Sequence, residues 1–168
     1  MAKTLPDFYL LTPWYPGEGR TADSVKKEIG GSVNSPDIDD TCIVRISKPL
    51  NYNGHPIPRR TEEFRTRQGK DKYWYGLRVK EFWPYMLKTY GKPLVHSIRP
   101  AQERNKFNGP QGIIGFRVPF RDGSATGHFT LWDGQKLLYT GAIPDYFAIA
   151  TEAALWQAGT LRSFSAPA

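Results

Sequence analysis

The sequence predicts an α+β fold in which a helix carrying the lone cysteine precedes an antiparallel sheet carrying a histidine. Three observations carry that reading. Apolar residues recur at helical spacing as far as residue 91, the period turns strand-like from residue 112, and Asp133-Gly134 between alternating apolar residues is a two-residue hairpin signal. The 168 residues suit one domain spanning 1–168, large enough to bury about two-thirds of the surface the unfolded chain exposes. A hydrophobic share of 39% with 14% aromatics excludes a disordered chain, while 16 Gly and 14 Pro make it loop-rich.

Residues 1–20, with Pro6, Pro13, Pro16, Gly17 and Gly19, read as an irregular N-terminal arm that cannot sustain a helix. TADSVKKEIGG (21–31) reads as a short helix capped by Thr21 or Asp23 and ended by Gly30 and Gly31. Asp39, Asp40 and Thr41 supply capping side chains directly before CIVRISKPLNYNG, where Ile43, Ile46 and Leu50 follow at helical spacing; Cys42 is therefore expected in the first turn of a helix that Pro49 kinks or shortens. YWYG (73–76) is a strand or a groove wall. In RVKEFWPYMLKTYG (78–91), Val79, Phe82, Trp83, Met86, Leu87 and Tyr90 form one apolar helix face closed by Gly91, which core packing explains. GIIGFRVPF, GHFTLWDG and QKLLYTG are β-rich, with a hairpin at Asp133-Gly134. DYFAIATEAALWQAG (145–159) reads as an Ala-rich helix capped by Asp145, and 160–168 as a loose tail.

The formal charge of +7 favours an anionic partner, such as nucleic acid, anionic lipid or bacterial cell wall. No RNA-binding or zinc-finger pattern accompanies the basic residues, so nucleic acid is not the expected partner. The densest run, PRRTEEFRTRQGKDK (58–72), is either a solvated loop or a basic groove wall. No apolar run reaches the length of a membrane span, and MAKTLPDFYLL lacks the pattern of a secretory signal, so cytoplasmic synthesis without membrane insertion is expected.

One cysteine excludes an intramolecular disulfide; with three histidines and no CxxC or HExxH pattern, neither a metal nor another cofactor is expected. Cys42 is then an inert core thiol or a nucleophile. A helix N-terminus favours thiolate over thiol, and its free N–H groups can donate to an oxyanion. On the later strand, alternation places Phe129 and Leu131 on the buried face, with His128, Thr130 and Trp132 opposite. His128 is either a satisfied surface histidine or the base for Cys42, and Gly127 beside it permits close approach of a ligand or of the Cys42 helix. Asp133, five positions on, points to the other face and is read as a turn residue. His55 and His96 are weaker base candidates, more simply structural.

DTCIVRISKPLNYNGHPIP (40–58), preceded by IGG and followed some 80 residues later by GHFTLWDG, resembles the type VI secretion amidase effectors, whose pattern joins a Thr-Cys helix to a Gly-His-x-Thr-Leu-aromatic strand. The resemblance spans about residues 25–140. It implies a papain-like fold of the small cell-wall peptidase kind, Cys42 as nucleophile and His128 as general base. It also implies cleavage of an amide bond at meso-diaminopimelate in peptidoglycan stem peptides, in the periplasm of a target bacterium. A cognate immunity protein and the type VI secretion apparatus are the implied partners. In the fourth effector group an Asp eleven positions after the histidine completes a triad; here that position is Tyr139. The departure points towards the second group, which cuts the D-alanine to diaminopimelate cross-link, whereas the fourth cuts the γ-D-glutamyl bond. The third site residue is left open among Tyr139, Thr140 and Asp145, or the site runs as a dyad. A papain-like toxin that deamidates or cross-links a protein target, and a non-catalytic basic binding domain, are the alternative functions.

Overall fold

The computed structural model describes residues 2–119 and 125–159. In chain order it contains β1 (Leu5–Asp7), α1 (Phe8–Leu11), a 3-10 turn at Thr12–Trp14, α2 (Ala22–Ile29), a second 3-10 turn at Gly31–Val33, and α3 (Cys42–Tyr52). There follow β2 (Thr66–Gln68), β3 (Trp74–Gly76), α4 (Val79–Tyr90), β4 (Val95–Ser97), α5 (Pro100–Glu103) and a 3-10 turn at Arg104–Phe107. The chain then runs through β5 (Gly112–Pro119), β6 (Ala125–Trp132), α6 (Tyr146–Ile149) and β7 (Glu152–Gly159).

The main sheet has β5 at its middle, antiparallel to β6 on one side and to β7 on the other. The far edge of β7 is shared by β4, antiparallel, and β1, parallel. Alternation gives the sheet two apolar faces. Ile113, Phe129, Leu131, Ala154 and Trp156 pack in one core with Ile43, Ile46 and Leu50 of α3 and with Phe82, Trp83 and Met86 of α4. Ile114, Phe116, Trp132 and Leu155 form the other, covered by Phe107, Tyr146 and Phe147. The helix bearing Cys42 thus lies on an antiparallel sheet bearing His128, the predicted α+β arrangement.

α2 has the expected caps: Thr21 Oγ1 accepts from Ser24 N–H at 3.1 Å, and Gly30 closes it at φ +67°. α3 begins at Cys42 as expected, and Pro49 lies inside it without ending it. Buried on nearly every side, α3 is held by tertiary packing that outweighs one lost backbone bond. YWYG supplies β3, paired with β2 from within the basic run, where Arg67 is bound to Asp37 at 2.5 and 2.7 Å.

Four expectations are corrected. The N-terminal segment is not an irregular arm without helix, for β1 pairs with β7, α1 is a helical turn, and Leu5, Phe8 and Leu11 are buried in the main core. On α4, Leu87 stands 42% exposed and outside the apolar face. The hairpin at Asp133-Gly134 shrinks to one bridge, Trp132 to Leu137, and the long partner of β6 is β5. Asp133 Oδ1 accepts from the N–H groups of Gln135 and Lys136, making a tight turn, and the next backbone is bound by the N-terminal segment through Glu18 N–H to Leu138 O at 3.1 Å. Lastly, residues 145–159 are not one helix: α6 is a single turn, and 152–159 are β7. The helix preference of alanine is worth under about 1 kcal/mol per residue. Burying Ala153, Ala154, Leu155, Trp156 and Ala158 inside the sheet outweighs it. The tail 160–168 lies outside the described residues.

Candidate active site

Cys42 is the first residue of α3, and its backbone N–H donates to Asp40 Oδ1 at 2.9 Å. Asp40, of the three expected caps, is the one that acts. Thr41 serves elsewhere, its hydroxyl accepting from Arg45 Nε at 2.9 Å. Arg45, one turn along α3, is fully buried and, among the described residues, has no carboxylate partner. Its guanidinium donates instead to the carbonyls of Pro16, Gly17 and Arg20 at 2.7–3.1 Å and lies 3.7 Å from the Tyr139 ring centroid. These bonds fasten both residues 16–20 and residue 139 to the helix that carries the thiol.

His128 comes from β6, opposite Phe116 of β5. The neighbouring Gly127 is required by the sheet itself, since a Cβ there would meet Phe116 O at 1.8 Å; its close approach is to β5 and to Val79 of α4, not to the Cys42 helix. The imidazole stacks flat on Tyr146, centroids 4.4 Å apart and planes within 3°. His128 Nε2 lies 2.6 Å from the backbone oxygen of Tyr139. A carbonyl only accepts, so Nε2 carries the proton and Nδ1 is the basic nitrogen. Cys42 and Phe129, the residue after His128, belong to the same buried core where α3 packs on β6.

Burial dominates the electrostatics. It pushes the Cys42 thiol well above its usual pKa, and the nearby Asp40 carboxylate adds to the rise; the N–H groups of Phe129 and Ile43 oppose it. Burial also holds His128 below its ordinary value near 6.5, against the opposing pull of the Tyr139 carbonyl and Asp40. Burial opposes the expected stabilisation of thiolate by the helix end: such a dipole contributes about 0.3–1 kcal/mol, and full burial can shift a thiol by several units. Both shifts favour the uncharged forms, thiol and neutral imidazole. Both groups lie beneath the surface, with Cys42 1% and His128 3% exposed. A cavity of about 280 Å³ lined by Asp40, Leu77, Arg78, Val79, Lys80 and Thr126 reaches the capping carboxylate of the thiol's helix.

Of the three candidates for the third position, Tyr139 meets His128, but through its backbone oxygen. Thr140 lies one bond further on, its N–H and hydroxyl both donating to Glu18 Oε1 at 2.5 and 2.8 Å. Asp145 is elsewhere, paired with Arg104 at 2.6–2.7 Å and capping α6 through Ala148 N–H. His55 bonds the Tyr90 hydroxyl and His96 bonds Glu152, both away from Cys42. Sequence reasoning missed Tyr146, Arg45 and Glu18. A backbone acceptor leaves no side-chain signature, and a stack on Tyr146 has no spacing rule.

A family model described as type VI secretion system amidase effector protein 4 matches residues 38–156. The chain belongs to that family. Membership places it in the fourth amidase effector group, not the second towards which Tyr139 had pointed. The chain is similar to the crystal structure of the type VI effector Tae4 from Enterobacter cloacae, with 30% identity over 95% of this chain and 100% of that one and a TM-score of 0.80. It is also similar to Tae4 of Salmonella Typhimurium solved with the immunity protein Tai4, at 25% identity, 92% and 99% coverage and a TM-score of 0.78. No curated protein matches. As a family member this type VI amidase effector has the papain-like fold that the resemblance implied. Among its described residues no helix is long and apolar enough to cross a membrane.

Proposed function

We propose that this effector is a cysteine amidase that hydrolyses the γ-D-glutamyl bond to meso-diaminopimelate in peptidoglycan stem peptides, with Cys42 as nucleophile and His128 as general base. The observation that carries the reading is the convergence at β6: the helix that carries Cys42 packs on that strand, and Tyr139 O fixes His128 Nε2–H, leaving Nδ1 as the proton acceptor. Membership in the fourth group moves the favoured bond from the D-alanine cross-link to the γ-D-glutamyl linkage.

With a neutral pair at rest, Cys42 loses its proton to Nδ1 as sulfur attacks the amide carbonyl. The imidazolium then protonates the leaving amine, and neutral His128 activates the water that hydrolyses the thioester. The Cys42 N–H, expected to bind the oxyanion, is already donated to Asp40. Arg78 and Lys80 beside Asp40 suit a stem peptide rich in carboxylates.

Relatives crystallised with Tai4 support a cognate immunity protein that occupies this effector in the producing cell. Delivery by the type VI apparatus into the periplasm of a competitor makes the activity antibacterial. Digestion of purified Gram-negative sacculi with wild-type protein and Cys42→Ala, read by mass spectrometry, tests the proposal. New termini at diaminopimelate with a rate loss of about 1000-fold or more in the variant are expected. Cleavage at D-alanine would move the bond, and intact sacculi would favour a protein-modifying toxin. Undiminished activity of Cys42→Ala would remove the cysteine mechanism.

A further inference from the structure

We infer that Glu18 is a positioning residue for His128, acting as a remote carboxylate through the single peptide group that joins Tyr139 to Thr140. The inference rests on the Cys42–His128 reading above. His128 Nε2–H donates to the carbonyl of that peptide at 2.6 Å. The N–H of the same peptide, belonging to Thr140, donates to Glu18 Oε1 at 2.5 Å. The peptide is trans, so these two groups point to opposite sides, imidazole on one and carboxylate on the other. Imidazole, peptide and carboxylate therefore stand in series.

The series performs the two tasks of a side-chain aspartate. It holds the ring in the Nε2–H tautomer, and it raises the negative charge on the oxygen that meets the ring, since each bond in a hydrogen-bonded chain strengthens the next by about 10–30%. The carboxylate missing from position 139 thus returns from the N-terminal segment, 122 residues before Thr140.

The carboxylate is well fixed for an exposed side chain. The backbone N–H of Glu18 donates to Leu138 O, so residue 18 grips the chain on both sides of Tyr139, and the Thr140 hydroxyl donates to the same Oε1. Beside it Gly17 leaves no space for a side chain, because a Cβ there would lie 2.8 Å from Leu138 O. Among the described residues, Asp40 and Glu18 raise the proton affinity of the ring, and Arg45 on α3 lowers it. The Thr140 bonds keep the Glu18 carboxyl below its usual range, so it stays charged while the base works.

Glu18→Gln tests this, because the amide keeps an acceptor oxygen and the side-chain size and removes only the charge. In the full-length protein, the His128 titration followed by NMR should shift down by about half a unit. The initial rate of sacculus digestion should fall by at most about threefold, the factor reached if the whole half-unit loss of basicity passes to the rate. Glu18→Asp is expected to recover part of both, and a thermal melt of each variant reports that the fold is kept. A merely structural latch would leave the His128 titration of Glu18→Gln within about a tenth of a unit of wild type, and that result overturns the inference. If Cys42→Ala still digests sacculi, the underlying reading falls; if Cys42→Ala is inactive and Glu18→Gln titrates as wild type, only the role of Glu18 falls.

Discussion

β6 and β7 are both eight-residue strands paired antiparallel to β5, yet one carries the candidate chemistry and the other none. The difference lies in their free edges. β7 is bonded on both sides, by β5 and by β4 and β1, so its backbone is consumed by the sheet. Among the described strands β6 has β5 as its one neighbour, and its other side faces the site: α3 packs on it, and Leu131 O accepts from Leu138 N–H at 3.0 Å. An unpaired edge is usually a hazard that invites association with another chain. Here it is covered by α3 and by the segment running to Tyr139, and the cover brings the thiol and the imidazole acceptor to His128.

The contrast predicts that damage to β7 is felt as stability and damage beside β6 as chemistry. Trp156→Ala on β7 removes a buried indole that packs edge-on to Trp83 and donates to Gly91 O at 2.9 Å. It should cost about 3–5 kcal/mol in urea unfolding, while the molecules that stay folded keep the wild-type His128 titration. A changed titration would mean that the two strands are not separable.

Tyr146→Leu removes the ring stacked on His128 while keeping an apolar filler, and should cost about 1 kcal/mol of stability. Its larger effect should be chemical, moving the acid limb of kcat/KM upward towards 6.5 as the imidazole becomes better solvated. An unmoved limb would show that Tyr146 has no part in the depressed basicity.

The smallest effect concerns the wild-type protein. Because His128 is held below 6.5 when folded, the acid limb of kcat/KM should lie below 6.5. Stability has the same origin and a fixed sign. Above 6.5 neither state binds the proton; below it the unfolded chain takes one up before the folded protein does, so stability falls with pH until the folded imidazole is itself protonated. His55, depressed by burial and then by Lys3, contributes in the same direction. Urea midpoints at pH 7.5 and 5.5 should therefore fall more in wild type than in His128→Gln, and equal falls would assign the slope to other groups.

Much of the scaffold was legible because its signals are local. Thr21 and Gly30 bound α2, Gly91 closes α4, Cys42 opens α3, and alternation around His128 places Phe129 and Leu131 in the core. β7 was not legible, since Ala154 and Ala158 state a helical preference locally and earn their place in a sheet only through neighbours on both edges. Leu5, Phe8 and Leu11 lay hidden among prolines for the same reason: a three-residue strand gains its bonds from a partner more than 150 residues away.

The order of residues by itself determined that a thiol would stand at a helix start and an imidazole on a later strand, because caps, periodicity and side-chain alternation act over a few residues. Only the tertiary structure decided which groups surround them, since burial, edge exposure and long-range hydrogen bonds depend on what the rest of the chain brings near. The raised thiol, the depressed imidazole, the Tyr139 carbonyl in place of a side chain and the Glu18 carboxylate behind it all belong to that second kind.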